Sequence, residues 1–209
     1  MRESESDHRV IAIIDDDEAL RDALTVLITA AGWGAVAYAC AEEFIDSPES
    51  TAFSCALVDI RLPGMGGMQL FHLIRERSPE LPVIILTGHG DVPMAVESLK
   101  AGAVDFIEKP FDPSRLFSSL REALDRSIAL RENKALIKEV EALSSTLTPR
   151  ERAVMDLIIL GKSNKVIAGD LGISPRTIEL HRARVMEKMH VRSTAELVRL
   201  TGRVPDPET

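Results

Sequence analysis

Three consecutive carboxylates, Asp15-Asp16-Asp17, follow the apolar run at 10–14. A single carboxylate, Asp59, ends a second apolar run, Thr87 ends a third and Lys109 follows a fourth. Carboxylates crowded together repel one another unless a cation lies among them. Hard oxygen ligands with no His or Cys beside them suit Mg²⁺, with Mn²⁺ able to substitute. The chemistry that fits is covalent phosphorylation of a carboxylate. Asp59, alone on its strand, is the nucleophile, and Asp15 and Asp16 anchor the metal that neutralises the transferring oxygens. Lys109 ion-pairs with the phosphoryl group and the Thr87 hydroxyl hydrogen-bonds to one of its oxygens.

These residues need a scaffold that brings four distant segments to one edge. Apolar runs at 10–14, 35–37, 55–58, 83–86 and 103–107 read as strands, and 18–31, 67–77 and 92–101 carry apolar residues at helical spacing, with a shorter helix at 41–46. Five strands alternating with helices imply right-handed crossovers and a parallel sheet covered on both faces. Ligands of such sheets sit outside the carboxyl ends of the strands. Asp15, Asp16, Asp17, Asp59, Thr87 and Lys109 all take that position.

From residue 113 the pattern is helical. Leu116, Leu120 and Leu124 lie four apart, and Leu136, Val140, Leu143 and Leu147 follow a four-three-four spacing. This seam fits a coiled-coil contact between subunits as well as a helix lying on its own domain. Thr148-Pro149-Arg150-Glu151 carries a capping residue, a proline at the first helical position and an acid three residues past the cap, so a second domain begins here. Gly161 ends its first helix, Ser163 caps a short one, Gly172 makes a turn, and Ser174-Pro175 opens a longer helix to about Met189. Two helices joined at a glycine turn form a helix-turn-helix.

Charge divides the chain in the same way. Of a total of −8 over 209 residues, residues 1–125 carry 10 Lys and Arg against 22 Asp and Glu, and residues 146–209 carry 11 against 8. The 174–189 helix carries Arg176, His181, Arg182, Arg184 and Lys188, charges that a polyanion would use. With Ile178 and Val185 facing inward, Thr177, Glu179, Leu180, Ala183 and Arg184 point outward. Cys40 and Cys55 are the only cysteines, too few for a disulfide framework or a zinc site, and both read as small core residues. No run approaches the ~18 apolar residues of a membrane span, and residues 1–9 lack a signal-peptide pattern, so a cytoplasmic location is expected.

The motifs Ile13-Ile14-Asp15-Asp16-Asp17, Leu57-Val58-Asp59-Ile60-Arg61-Leu62-Pro63-Gly64-Met65-Gly66-Gly67, Leu86-Thr87-Gly88-His89-Gly90 and Glu108-Lys109-Pro110-Phe111 resemble the response-regulator receiver pattern. The resemblance implies Asp59 as phosphoacceptor, Asp16 and Asp59 as direct Mg²⁺ ligands, Asp15 assisting through water, and the Arg61 backbone carbonyl completing the set. It also implies a cis bond before Pro110, a switch made of Thr87 and Phe106, and tuning of phosphoryl hydrolysis by Arg61 and His89. Phe106 departs from the tyrosine pattern in lacking a hydroxyl, so any swing of its ring is driven by packing, and a static core role remains the alternative.

Leu147-Thr148-Pro149-Arg150-Glu151, Gly161-Lys162-Ser163-Asn164-Lys165-Val166-Ile167-Ala168, Leu171-Gly172-Ile173-Ser174-Pro175-Arg176-Thr177-Ile178-Glu179-Leu180-His181 and Lys188-Met189 are similar to the four-helix LuxR-type DNA-binding domain. As a whole the chain resembles the FixJ-type response regulators of bacteria. The expected architecture is a flavodoxin-like, doubly wound five-stranded parallel receiver over 8–123, a helical linker over 124–145, and an all-α four-helix helix-turn-helix domain over 146–204.

The function implied is regulation of transcription under control of a sensor histidine kinase. Partners would be double-stranded DNA, a second copy of the chain on phosphorylation, and RNA polymerase, with no membrane. Helix 174–189 would enter the major groove. Lys165, Arg176, His181 and Arg184 would hold phosphates, while Thr177, Glu179, Leu180 and Ala183 would read bases. Enzyme activity would be limited to self-phosphorylation from a donor and slow self-dephosphorylation. Two alternatives stand beside this reading. One is a phosphorylation-independent DNA-binding or scaffold protein. The other is a phosphohydrolase of the haloacid-dehalogenase type, which Asp15-x-Asp17 also resembles and in which Asp15 would be nucleophile and Asp17 the acid.

Overall fold

The structure, a computed structural model, describes residues 9–48, 52–88 and 92–202. The chain forms two compact units, Met1–Arg131 and Glu132–Thr209.

The first unit is a flavodoxin-like doubly wound α/β domain. Strands β1 (Val10–Ile14), β2 (Gly34–Tyr38), β3 (Cys55–Asp59), β4 (Val83–Thr87) and β5 (Asp105–Glu108) alternate with helices α1 (Glu18–Ala30), α2 (Ala41–Asp46), α3 (Gly67–Arg77) and α4 (Val92–Lys100), and α5 (Pro113–Ser145) follows. The sheet is parallel throughout, in the order β2-β1-β3-β4-β5. Because successive strand residues face opposite sides, each central strand feeds two cores. Ile11, Ile13, Cys55, Leu57, Ile84 and Leu86 pack with Leu24 and Ile28 of α1 and with Leu116, Leu120 and Leu124 of α5. Ala12, Ile14, Ala56, Val58, Val83 and Ile85 pack with Phe44 of α2 and with Leu70, Phe71 and Ile74 of α3. Both faces being covered accounts for strands without polar alternation.

The fifth strand begins at Asp105 rather than 103. Gly102 turns with φ of 97°, and the Ala103 amide is drawn back to the Ser98 carbonyl at 2.9 Å, so residue 103 still belongs to the turn.

In the second unit, α6 (Pro149–Ile159), α7 (Asn164–Leu171), α8 (Pro175–Lys188) and α9 (Thr194–Thr201) surround Val154, Ile158, Ile167, Ile178, Val185 and Leu197. Thr148 and Glu151 form the expected capping box, and Gly172 takes the left-handed conformation, φ 65°, between α7 and α8. Ser163 sits at the N-cap of α7, but its side chain makes no capping hydrogen bond. The four-three-four seam resolves toward packing within one chain. Val140 and Leu147 are buried in the core of the second unit, with Leu136 and Leu143 half-buried against it.

Candidate functional site

The strand registers carry the chemistry to one edge. Ile14 pairs with Val58, Asp59 with Leu86, and Thr87 with Glu108. One residue beyond those pairs stand Asp15 and Lys109, so Asp15, Asp59, Thr87 and Lys109 lie in adjacent rows at the carboxyl end of the sheet.

The carboxylates of Asp15, Asp16 and Asp59 present ligand atoms within 4.8 Å of one another. Asp15 and Asp59 are buried and Asp16 is exposed. The Lys109 ammonium lies between the two buried ones, 2.6 Å from Asp15 Oδ2 and 2.8 Å from Asp59 Oδ2. The other oxygens are held by backbone: the Asp17 amide donates to Asp15 Oδ1 at 3.0 Å and the Arg61 amide to Asp59 Oδ1 at 3.2 Å. From α1, the Arg21 guanidinium donates to the Asp15 carbonyl at 2.8 Å.

Burial pushes the Asp15 pKa up, against the lowering effect of its bonds to Lys109 and Asp17. Burial also pulls Lys109 down, but its hydrogen bonds to Asp15 and Asp59 outweigh that and leave its pKa raised. The ammonium therefore stays charged and offsets two carboxylates in a partly desolvated site.

Thr87 is buried, and its hydroxyl donates to the Gly88 carbonyl at 3.1 Å. Phe106 is half-buried in β5 against the α3-side core. The Lys109–Pro110 bond is cis. His89 lies outside the described residues. Among the described residues, three carboxylates without a sulfur or imidazole donor in their cluster fit a hard divalent cation. Asp15 and Asp59 are held alike, each with one oxygen on a backbone amide two residues on and the other on Lys109.

In α8, Arg176, Glu179, Leu180, Ala183 and Arg184 are exposed on the side away from buried Ile178 and Val185, and Lys165 of α7 is exposed as well. Thr177 is half-buried, with its hydroxyl 2.8 Å from that of the capping Ser174. His181 is half-buried, and its Nδ1 is enclosed without a hydrogen-bond partner.

Two basic residues of this helix make contacts within the second unit, one with a carboxylate and one with a hydroxyl. Lys188 donates to Glu151 Oε2 at 2.7 Å and to the Thr146 carbonyl at 3.0 Å, and Arg182 donates to the Thr194 hydroxyl at 3.0 Å. No motif or spacing singles out Arg21 or Glu42, which brace loops beside the acidic cluster. Glu42 carried no signal beyond that of an acid in a helix's first turn, which needs no further role.

Comparison with known proteins agrees with this division. Residues 11–121 match the response regulator receiver domain family, and residues 145–201 match the luxR family of bacterial regulatory proteins. The transcriptional regulatory protein FixJ of Bradyrhizobium diazoefficiens is 44% identical over 92% of this chain and 94% of its own. The response regulator protein TmoT of Ectopseudomonas mendocina is 38% identical over 94% of this chain and 90% of its own. Among solved structures, the response regulator StyR superposes with a TM-score of 0.81 at 36% identity, covering 94% of this chain and 99% of that one. Full-length FixJ from B. japonicum gives 0.58 at 44% identity, covering 93% and 96%. By sheet topology, acidic edge and extended likeness to these proteins, the chain belongs to the response regulators that join a receiver domain to a LuxR-type DNA-binding domain.

Proposed function

We propose that this response regulator accepts a phosphoryl group on Asp59 from the phosphohistidine of a sensor histidine kinase and thereby controls its binding to DNA. The observation that carries the reading is the Asp15, Asp16 and Asp59 cluster with Lys109 seated on two of its members. An Asp59 carboxylate oxygen attacks phosphorus, the bond from phosphorus to the donor nitrogen breaks, and the electron pair leaves with the imidazole. An acyl phosphate remains on Asp59.

Asp15, Asp16, Asp59 and the Arg61 carbonyl would hold Mg²⁺, or Mn²⁺ in its place, which when bound would supply positive charge to offset that on the transferring oxygens. Lys109 ion-pairs with the phosphoryl group and the Thr87 hydroxyl turns to donate to it. Phe106, lacking a hydroxyl, follows Thr87 by repacking, and Arg61 and His89 tune hydrolysis. The chain acts stoichiometrically, with slow self-dephosphorylation as its only turnover.

In the second unit α8 enters the major groove. Lys165, Arg176, His181 and Arg184 grip phosphates, while Thr177, Glu179, Leu180 and Ala183 face base edges. The exposure of six of these eight supports the assignment, and the half-burial of Thr177 and His181 makes them the weaker contacts. Phosphorylation drives homodimerisation on two-fold sites, α9 contributes to the dimer, and RNA polymerase is the further partner. The protein works in the cytoplasm. Phosphorylation adds about 1.5 to 2 negative charges beside Thr87 and Lys109, enough to redraw the surface around them.

Intact-mass measurement after treatment with a small phosphoryl donor and Mg²⁺ tests the acceptor. Wild type should gain one phosphoryl group and Asp59→Asn none. Equal labelling of both, or equal DNA affinity of both under phosphorylating conditions, would reject the reading.

A further inference from the structure

The segment between Asp59 and α3 carries Arg61, whose carbonyl is assigned to the metal, so the loop's position sets the geometry of the site. Its base is fixed. The Ile60 amide donates to the Leu86 carbonyl at 2.9 Å and the Gly67 amide to the Ile60 carbonyl at 3.0 Å. Gly67 is packed so closely that a Cβ there would lie 1.8 Å from the Asp59 carbonyl oxygen. Leu62 is buried in the α3-side core.

The tip is tied from outside the loop. The Met65 amide donates to Glu42 Oε1 at 2.9 Å, across 23 residues of chain. Gly64 accommodates that carboxylate: its φ is 70°, and a Cβ there would come within 2.7 Å of Glu42 Oε1. Glu42 sits in the first turn of α2, and bonds from its own amide and that of Met65 hold its carboxyl below the usual range, so it stays an ionised acceptor.

We propose that Glu42 is a positioning residue for the phosphoryl site, tethering the β3–α3 loop so that the Arg61 carbonyl and Asp59 are presented together to the divalent cation. The inference rests on the reading of Asp59 as acceptor. Its physical basis is the narrow tolerance of Mg²⁺, which demands near-octahedral oxygen ligands at short range, whereas Ca²⁺ accepts looser and more variable sets. A loop free to drift weakens Mg²⁺ more than Ca²⁺. A general loss of stability would weaken both alike.

The test compares full-length wild type with Glu42→Ala, Glu42→Gln and Glu43→Ala. Glu43 caps the same helix by accepting from the Ala39 amide at 2.9 Å and touches no part of the loop in that bond, so it reports on damage to α2 alone. Four quantities are read: Mg²⁺ and Ca²⁺ affinity by calorimetry, the rate of Asp59 labelling by a small phosphoryl donor across Mg²⁺ concentrations, and hydrogen exchange of the Met65 amide without metal.

Glu42→Ala should lose Met65 protection, weaken Mg²⁺ about threefold with a smaller change for Ca²⁺, and label slowly at low Mg²⁺ but normally at saturation. Glu42→Gln, which keeps an oxygen acceptor, should stay close to wild type, as should Glu43→Ala. If wild type is labelled on Asp59 and Glu42→Ala matches it in Mg²⁺ affinity and rate, the tether is refuted and the acceptor assignment stands. Parallel effects in Glu42→Ala and Glu43→Ala refute it too. If wild type takes no phosphoryl group, the acceptor reading falls first and the tether's role at that site falls with it.

Discussion

Lys109 and Asp59 are separated by fifty residues, yet the ammonium of one lies 2.8 Å from the carboxylate of the other. The contact exists because β3 and β5 flank β4 in one parallel sheet and both end at its carboxyl edge. With Asp15 at 2.6 Å on the same ammonium, one cation serves two buried acids.

Removing that cation should cost stability. Lys109→Ala leaves Asp15, which is fully buried, without its partner. Loss of one member of a buried pair costs several kcal/mol, but the Lys109 side chain is 22% exposed, so the expected penalty is about 2 kcal/mol. Urea unfolding without divalent metal measures it, and saturating Mg²⁺ should recover part of the loss. Unchanged stability would show that water already screens the pair.

Acid should loosen the second unit through Glu151. Lys188 and the Thr148 amide hold its carboxyl down to about 2, against an ordinary value of 4.5. A depressed carboxyl stabilises the fold above its unfolded pKa, and that contribution is lost as pH falls from about 4.5 toward 2. NMR-monitored unfolding of C-terminal amides should show a shallower fall over this window in Glu151→Gln than in wild type. Equal slopes would mean that other carboxylates govern the acid transition.

Two substitutions in α8 should separate grip from reading. Arg184→Ala, if Arg184 holds a phosphate, weakens binding about tenfold on any sequence and lowers the salt-dependence slope by about one. Glu179→Ala keeps or raises general affinity, because a negative charge leaves the groove, while discrimination at one base pair falls by about 1–3 kcal/mol. Titrations of matched and mismatched duplexes at several salt concentrations measure both. Identical responses of the two variants would contradict the division of roles.

The two units should fail separately. Ile178 is fully buried in the second unit, and Ile178→Ala should destabilise that unit by about 3 kcal/mol. Labelling of Asp59 by a small phosphoryl donor should persist, since its pocket is built within the first unit. Loss of labelling in a variant whose first unit remains folded would argue against that independence.

The helix and strand pattern and the residues of the acidic edge were legible in the sequence because they rest on local or topological rules. Apolar runs of strand length, capping residues and Gly172 are read one segment at a time. Asp59, Thr87 and Lys109 follow from the rule that parallel sheets place ligands at strand ends. What only the tertiary structure decided are contacts whose partners no spacing rule links. Lys188 pairs with Glu151 and Arg182 bonds to Thr194 inside the second unit, Val140 packs on its own chain, and Glu42 reaches Met65 across another element. A charged side chain looks the same in a sequence whether it faces water, DNA or a backbone amide. Its role depends on which segments folding brings within hydrogen-bond distance, and that is a property of the packed chain.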